Sequence, residues 1–569
     1  MSFTSSGTLG KGVMTNTAGS STSTLTGIPL FSQISAPANN SAVAAYSLRS
    51  LTGTTAKAVR VIRGGSGGDT ITDSGGYRIH TFTSTGSSTF IPPMTGTVEV
   101  LIVAGGGGGG GGAEFNPGGG GGAGEFYESN TYAVTRGASY TVTVGGGGAR
   151  GVGTATTGGT PTAGGDSSFG NVTCNGGGRG GANGNSLDNG GSGGSGGGAS
   201  RTASGGSSVK TAPGGFGNRG GNSGGALNDT AGGGGGGGAG GAGAAASGGN
   251  STRAAGGAGK SSSISGTSAS YANGGDGGSR SGTSNGTSAS SNTGDAGRGG
   301  DGGDFTGGTN GGSGGSGIVI VRYLLANVTQ DFYADRFGNL LTTPVTGQTL
   351  ANWLGSQTGY VTTWYDQTGK GNNAIKTVAS QQPVIRKATK GPGYAILFNG
   401  TDEFLTGMSY TVLNNTNYSI SIVERRNTNA SNMWFVTSGN SGTTNNFLHL
   451  GYITNTSFRY GQYNNDMNIT VPGYVSNEPL HYWTFTQSST SGRYIFNQTT
   501  NTITSDATKT VLLSSTSGNF IIGARISGGS QYYSGEIYEL IVFTSSLYDL
   551  DGTTSVNQIY NNQLSLYGT

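Results

Sequence analysis

The residue types able to do chemistry are few and scattered along this chain. Carboxylates fall close together in the adjacent pair Asp402-Glu403 and in Glu536 with Glu539. Glycoside hydrolysis needs two carboxyls facing one cleft at a controlled separation. On an extended strand that requires positions i and i+2, because alternate side chains share a face. Glu536 and Glu539 are three apart, so the spacing predicts opposite faces, and the adjacent Asp402 and Glu403 diverge likewise. A non-enzymatic protein is therefore expected, with a glycoside hydrolase as the weakest alternative. His80, His449 and His481 lie in three separate strand-like segments, and Cys174 is the only cysteine. No Ser-His-Asp, Cys-His or cysteine-zinc spacing can be read from such a set. Glycine runs such as 105–112 contain G-x-G-x-x-G trivially, without the helix and acidic residue that a nucleotide site requires.

Neutral recognition chemistry remains. Trp364, Tyr365, Asp366 and Asn372 offer aromatic faces for a sugar ring and polar groups for its rim. Tyr460, Tyr463, Asn464, Asn465 and Asp466 offer a second rim. Each has a plainer reading: Trp364 suits a core, and Asp366 and Asn372 more often cap a turn. Calcium would find only Asp366, Asp402 and Asp466, without a recognisable loop, so no cofactor is expected. The Asn-x-Ser/Thr triplets at Asn171, Asn327, Asn399 and Asn468 follow from composition alone.

Charged residues make up 10% of 569, far below the usual quarter, while 120 are glycine. The net charge of +3 is spread thinly, which gives no basic face for nucleic acid and no lipid-binding patch. A single cysteine excludes an intrachain disulfide. Residues 1–7 lack a basic segment followed by an apolar core, so no secretory signal is expected. The apolar runs at 98–104 and 318–326 are too short to cross a bilayer, so no membrane insertion is expected. Asn, Ser, Thr, Gly and Tyr supply the polar surface instead. Such a palette, without signal, anchor or disulfide, fits a protein assembled inside a cell and released on a particle.

The segment Ala58-Val59-Arg60-Val61-Ile62-Arg63 reads as a strand that stops at Gly64-Gly65-Ser66-Gly67-Gly68, and its continuation appears only at Thr329-Gln330-Asp331-Phe332-Tyr333. An exposed loop tolerates such an insertion. Three parts are expected: 1–42 as an extended N-terminal arm or flexible tail, 43–63 plus 325–569 as a host domain, and 64–324 as the inserted block. The insert opens with strands at 77–83, 88–91, 97–104, 125–132 and 139–144, and closes with one at 317–323. Between 145 and 317 almost nothing apolar exceeds Ala or Val, so no ordinary core can form. That stretch is either disordered or a lattice of extended glycine helices with three residues per turn. The host domain repeats strand-like runs at 361–365, 395–398, 418–423, 446–452, 482–486, 493–496, 519–522 and 536–543. One helix is predicted near 555–566 and a single turn at 349–354. The fold class is all-β: an antiparallel jelly-roll sandwich carrying an inserted glycine-rich domain on a small β-sandwich base.

Two resemblances follow. Gly76-Tyr77-Arg78-Ile79-His80-Thr81-Phe82-Thr83, Val98-Glu99-Val100-Leu101-Ile102-Val103-Ala104 and the closing Gly317-Ile318-Val319-Ile320-Val321-Arg322-Tyr323 resemble the glycine-rich domain of tailed-phage fibres and of structural proteins of large DNA viruses. Gly359-Tyr360-Val361-Thr362-Thr363-Trp364-Tyr365-Asp366-Gln367, Phe398-Asn399-Gly400-Thr401-Asp402-Glu403-Phe404 and Tyr533-Ser534-Gly535-Glu536-Ile537-Tyr538-Glu539-Leu540 resemble concanavalin A-like lectin/glucanase (laminin-G-like) domains. The resemblance implies a virion surface protein, capsid-associated or in a fibre, docked to other capsid or fibre proteins through its arm and contributing to host attachment. A homo-oligomer is expected with it. The alternative is a carbohydrate-binding adhesin for a host-surface glycan.

Overall fold

The computed structural model describes residues 30–568 apart from 53, 184–187, 225–231, 248–251, 304–306, 440–443, 515–516 and 526–530. The chain divides into two compact units, Met1–Gly64 with Thr329–Thr569, and Gly65–Val328. Among the described residues no helix is long and apolar enough to cross a membrane.

The first unit is an antiparallel jelly-roll sandwich. Strand Ala56–Arg63 lies between Thr329–Ala334 and Gly359–Trp364, with Val59 opposite Phe332 on one side and Trp364 on the other. Ser534–Phe543 runs beside Tyr418–Arg426, and along its other edge meets Tyr394–Asn399 and Ala42–Ser47. The facing sheet contains Leu405–Ser409, Asn519–Ile522, Met433–Gly439, Phe447–Thr454, Ser457–Gln462 and Met467–Thr470. Alternation, reset once at Tyr538, puts Ile537, Leu540 and Val542 into the interior with Phe332, Trp364, Phe435 and Leu450. Within it Phe458 stacks on Trp483 and Phe485, with ring centroids 4.7 and 5.5 Å apart.

The outer face of Ser534–Phe543 is covered by helices. Ile541 and Phe543 pack against Leu547, Val556 and Ile559 from Leu547–Asp551 and Thr554–Tyr567. Here the reading of an extended arm over 1–42 is corrected for residues 30–42. Residues 1–29 lie outside the described residues, but Leu30–Gln33 and Ala36–Ser41 are helical, and Ala42 already begins a strand. Leu30, Ile34, Ala38 and Ala42 recur every four residues and are buried in that same cluster. Burial of these apolar side chains, spread over two short helices and the start of a strand, outweighs the Ser/Thr content around them. Ser35 caps the second helix, accepting from Ala38 N, and Pro37 sits in its first turn.

The second unit rests on two antiparallel sheets, one of five strands closed by Ile318–Leu324 between Tyr77–Phe82 and Gly96–Val103, the other of four. Above them the glycine runs form a lattice. Gly105 and Gly108 donate to Gly165 and Thr162, Gly106 and Gly109 to Gly315 and Gly312, and Gly107 and Gly110 to Gly122 and Gly119. Donor numbers rise by three as acceptor numbers fall by three, so these three neighbours are antiparallel. The same run accepts from Gly148 and Gly151, from Gly177 and Gly180, and from Gly297 and Gly300, where both numbers rise together. One run thus has six neighbours, three of each sense, which is a hexagonal packing of three-residue helices. Run 118–124 likewise donates to three neighbours, 294–300 and 178–181 antiparallel and 234–237 parallel. A Cβ on Gly109 would overlap the Arg298 carbonyl, and one on Gly121 the Gly107 carbonyl. Glycine is required by proximity there, and the shared bonds offset its ordering cost.

Candidate functional site

Of the residues singled out for sugar contact, most are spent on the fold. Trp364 and Tyr460 are fully buried in the sandwich interior, so neither ring can meet a ligand. This corrects both expectations: on a strand buried on its inner face, a large ring is worth more in the core than at the rim. Asp366 caps its own loop, accepting from Ala45 N at 3.0 Å, Thr368 N at 2.9 Å and Asn372 N at 3.1 Å. The Asn372 amide donates to the Val43 carbonyl at 2.6 Å. Both therefore tie the loop to strand Ala42–Ser47 instead of facing solvent chemistry. Asn465 donates to Asn445 at 2.7 Å, and half-buried Tyr463 continues the backbone pairing with Phe447. Tyr365 alone stands on an open sheet face, half-buried, with its hydroxyl on Asp331 at 2.8 Å.

The acidic residues are likewise committed. Glu536 and Glu539 share one face of their strand, contrary to the spacing argument. The register against Tyr418–Arg426 slips between Val423 and Glu424, a bulge that inserts an extra residue at Tyr538 and resets the alternation. Both carboxylates are fully buried, Glu539 against the terminal helix through Gln563. Glu536 accepts from Arg386 at 2.7 Å and from Tyr538 at 2.6 Å. Glu539 takes Arg49 in a two-bond fork at 2.9 and 3.1 Å, with Ser47 and Gln563. Asp466 meets His449 at 3.1 Å and Arg459 at 2.9 Å, Asp402 meets the Asn399 amide, and Asp366 is used as above. These three carboxylates do not fit a shared calcium site, and among the described residues no group of three acidic, His or Cys side chains could hold a metal.

An accessible polar cleft lies elsewhere, at one end of the sandwich. It holds about 770 Å³ and is lined by Asn399, Gly400, Thr401, the 428–433 loop, Gln531, Tyr532 and Ser534. The strands bring these loops together: Asn399 stands opposite Ser534, and Asn427 N donates to the Ser534 carbonyl at 2.9 Å. Asn399 fixes one wall as a turn, its Oδ1 accepting from Thr401 N at 2.8 Å and Asp402 N at 3.2 Å. Beneath it the Glu403 carboxylate accepts from Asn399 N at 2.8 Å, and burial pushes its pKa up to about 7. Asn432, at φ 58°, turns the second wall. On the third, the Trp434 indole donates to Gln531 Oε1 at 2.7 Å. Tyr532 is half-buried, its ring 6.5 Å from Phe404.

The lining holds no charged residue. Its open groups are the hydroxyls of Thr401, Thr428, Ser431 and Ser534, the amides of Asn432 and Gln531, and one phenol face. The sequence reading missed all but the turn at Asn399. The turn-forming runs Asn399-Gly400-Thr401 and Asn427-Thr428-Asn429-Ala430-Ser431-Asn432 were visible, but nothing local joins them to Gln531, roughly a hundred residues on.

Parts of this chain are similar to known proteins. The model of a family described as a glycine-rich domain matches residues 82–324. No curated protein matches the sequence. Among solved structures, an arabinofuranosidase complexed with arabinofuranosyl-α-1,2-xylobiose is similar at 14% identity over 41% of this chain and 57% of that one, with a TM-score of 0.30. The chain thus spans little more than half of that enzyme. Domain 4 of AbnA, a GH43 extracellular arabinanase from Geobacillus stearothermophilus, is similar at 13% identity over 31% of this chain and 80% of that one, at 0.23. The CBM40 of a Ruminococcus gnavus IT-sialidase, bound to α2,6 sialyllactose, is similar at 14% over 28% and 95%, at 0.22.

Proposed function

We propose that this protein is a non-catalytic, glycan-binding attachment protein displayed on the surface of a virus particle. The observation that carries the binding half is the uncharged cleft. It combines hydroxyls, amides and one aromatic face, the set that fixes a sugar ring by stacking and rim hydrogen bonds. The carboxylates that hydrolysis would need are buried in ion pairs or turn caps, which favours binding over turnover. The display half rests on the glycine-rich block, whose lattice can hold an extended body rigid without an apolar core, and on the resemblance of its two ends to fibre and capsid proteins. Profiling the full chain on a glycan array, beside an assay for released reducing sugar, tests this reading. Saturable binding without sugar release supports it; sugar release, or no glycan bound at all, overturns it. Stoichiometric recovery of the chain in purified particles tests the display half separately.

A further inference from the structure

On the exposed face of the sandwich formed by Ala56–Arg63, Thr329–Ala334 and the end of Gly359–Trp364, five side chains converge. Asp331 stands opposite Arg60 and Tyr333 opposite Lys57, while Tyr365 follows the third strand. The Asp331 carboxylate is fully subscribed. Its Oδ1 accepts from Arg60 Nε at 2.7 Å and from Tyr365 at 2.8 Å, and its Oδ2 from Arg60 Nη2 at 3.1 Å and Lys57 Nζ at 3.0 Å. Burial raises this carboxyl, but the bonds from Arg60, Lys57 and Tyr365 outweigh it and hold it at about 2. The Lys57 ammonium lies 5.4 Å from the Tyr365 ring and 5.9 Å from the Tyr333 ring. Both cationic side chains remain 44% exposed, enough to reach a ligand.

Two cations face one anion, so one positive charge stays uncompensated. Arg60 Nη1 and two of the three Lys57 N–H bonds have no protein acceptor among the described residues. The cations are pre-positioned, because Asp331 and the tyrosines have already fixed their rotamers. We propose that this face is a second binding site, separate from the neutral cleft, for an acidic saccharide. A ring carboxylate or sulfate would sit on Arg60 and Lys57, and the sugar would lie across Tyr333 and Tyr365. Asp331 is the positioning residue. Neutral sugars gain nothing from the cations and are left to the cleft.

The test is titration calorimetry of the full chain at 50 mM NaCl with a heparin-derived tetrasaccharide, tetragalacturonic acid and cellotetraose. The expected result is saturable binding of one or both anionic probes, the sulfated and carboxylated arms separating the two anion sources. That binding should weaken roughly tenfold in Lys57→Gln and in Arg60→Gln, and again in 0.5 M NaCl. Arg60→Lys, which keeps the charge but loses the fork, should fall between wild type and Arg60→Gln. Absence of saturable binding by either anionic probe overturns the proposal. So does wild-type affinity in both neutralised variants.

Discussion

Replacing Gly109 by Ala places a methyl where the Arg298 carbonyl already stands. Either run 297–300 or run 105–112 must move, and three shared hydrogen bonds are exposed to that movement. They are Gly109 N to Gly312 O, Gly312 N to Arg298 O and Gly151 N to Gly109 O, at 2.9, 2.8 and 2.9 Å. A bond lost inside a protein costs about 1 kcal/mol net, and more where a buried donor is left unpaired. The sum is about 4 kcal/mol. In a unit of this size that lowers the melting temperature by roughly 10 °C. Gly146 is the internal control: it is in the same lattice, but a Cβ there meets no atom within 4 Å. Gly146→Ala should be neutral or stabilising by about 0.5 kcal/mol, because alanine restricts the unfolded chain. Calorimetric melting together with hydrogen exchange resolved along 294–315 reads both effects. Equal melting temperatures for the two variants, or unchanged protection in 294–315 for Gly109→Ala, would refute the close-packed lattice.

Further outcomes follow from the same geometry. Glu403 has a folded pKa of about 7, above the ordinary value, so the folded state holds its proton more tightly. Its contribution is present in full below the unfolded pKa and is lost as pH rises through about 7. Between pH 5 and pH 8 the wild type should lose about 2 kcal/mol of stability more than Glu403→Gln, read from urea midpoints; parallel profiles would remove Glu403 as the cause. Asn175, Asn189, Asn273, Asn285 and Asn310 each precede a glycine, a sequence prone to deamidation through attack by the glycine nitrogen. Here the N–H groups of Gly176, Gly190, Gly274, Gly286 and Gly311 are all hydrogen-bonded. Peptide mapping after alkaline incubation should find these sites intact in the folded chain and deamidated in urea; equal loss in both states would mean the lattice bonds do not persist.

The fold was legible where the pattern is repeated. Strand alternation marked the sandwich, and the break after Arg63 pointed to Thr329, with which that strand pairs. The glycine block was narrowed to two states, and the three-residue periodicity of its hydrogen bonds identifies the ordered one. Single-residue events were not legible. The bulge at Tyr538 moved Glu536 and Glu539 onto one face, and nothing in their spacing announces it. The apolar residues Leu30, Ile34, Ala38 and Ala42 were present in the sequence but diluted by polar neighbours. The cleft was hidden for a different reason: its walls come from three loops joined only by long-range strand pairing, whereas Trp364 to Asn372 was contiguous and therefore conspicuous.

The direct measurement is the affinity of the full chain for a neutral glycan chosen from the array, compared with Tyr532→Ala, Asn432→Ala and Thr428→Ala. These side chains line the cleft; because Asn432 sits at φ 58° and its N–H donates to the Ile453 carbonyl, Asn432→Ala is compared only where its melting temperature matches wild type. Weakening of roughly tenfold in Tyr532→Ala, the equivalent of about 1.4 kcal/mol, with smaller losses in the other two, is the predicted result. Unchanged affinity in all three would place sugar recognition outside the cleft and contradict the proposed function.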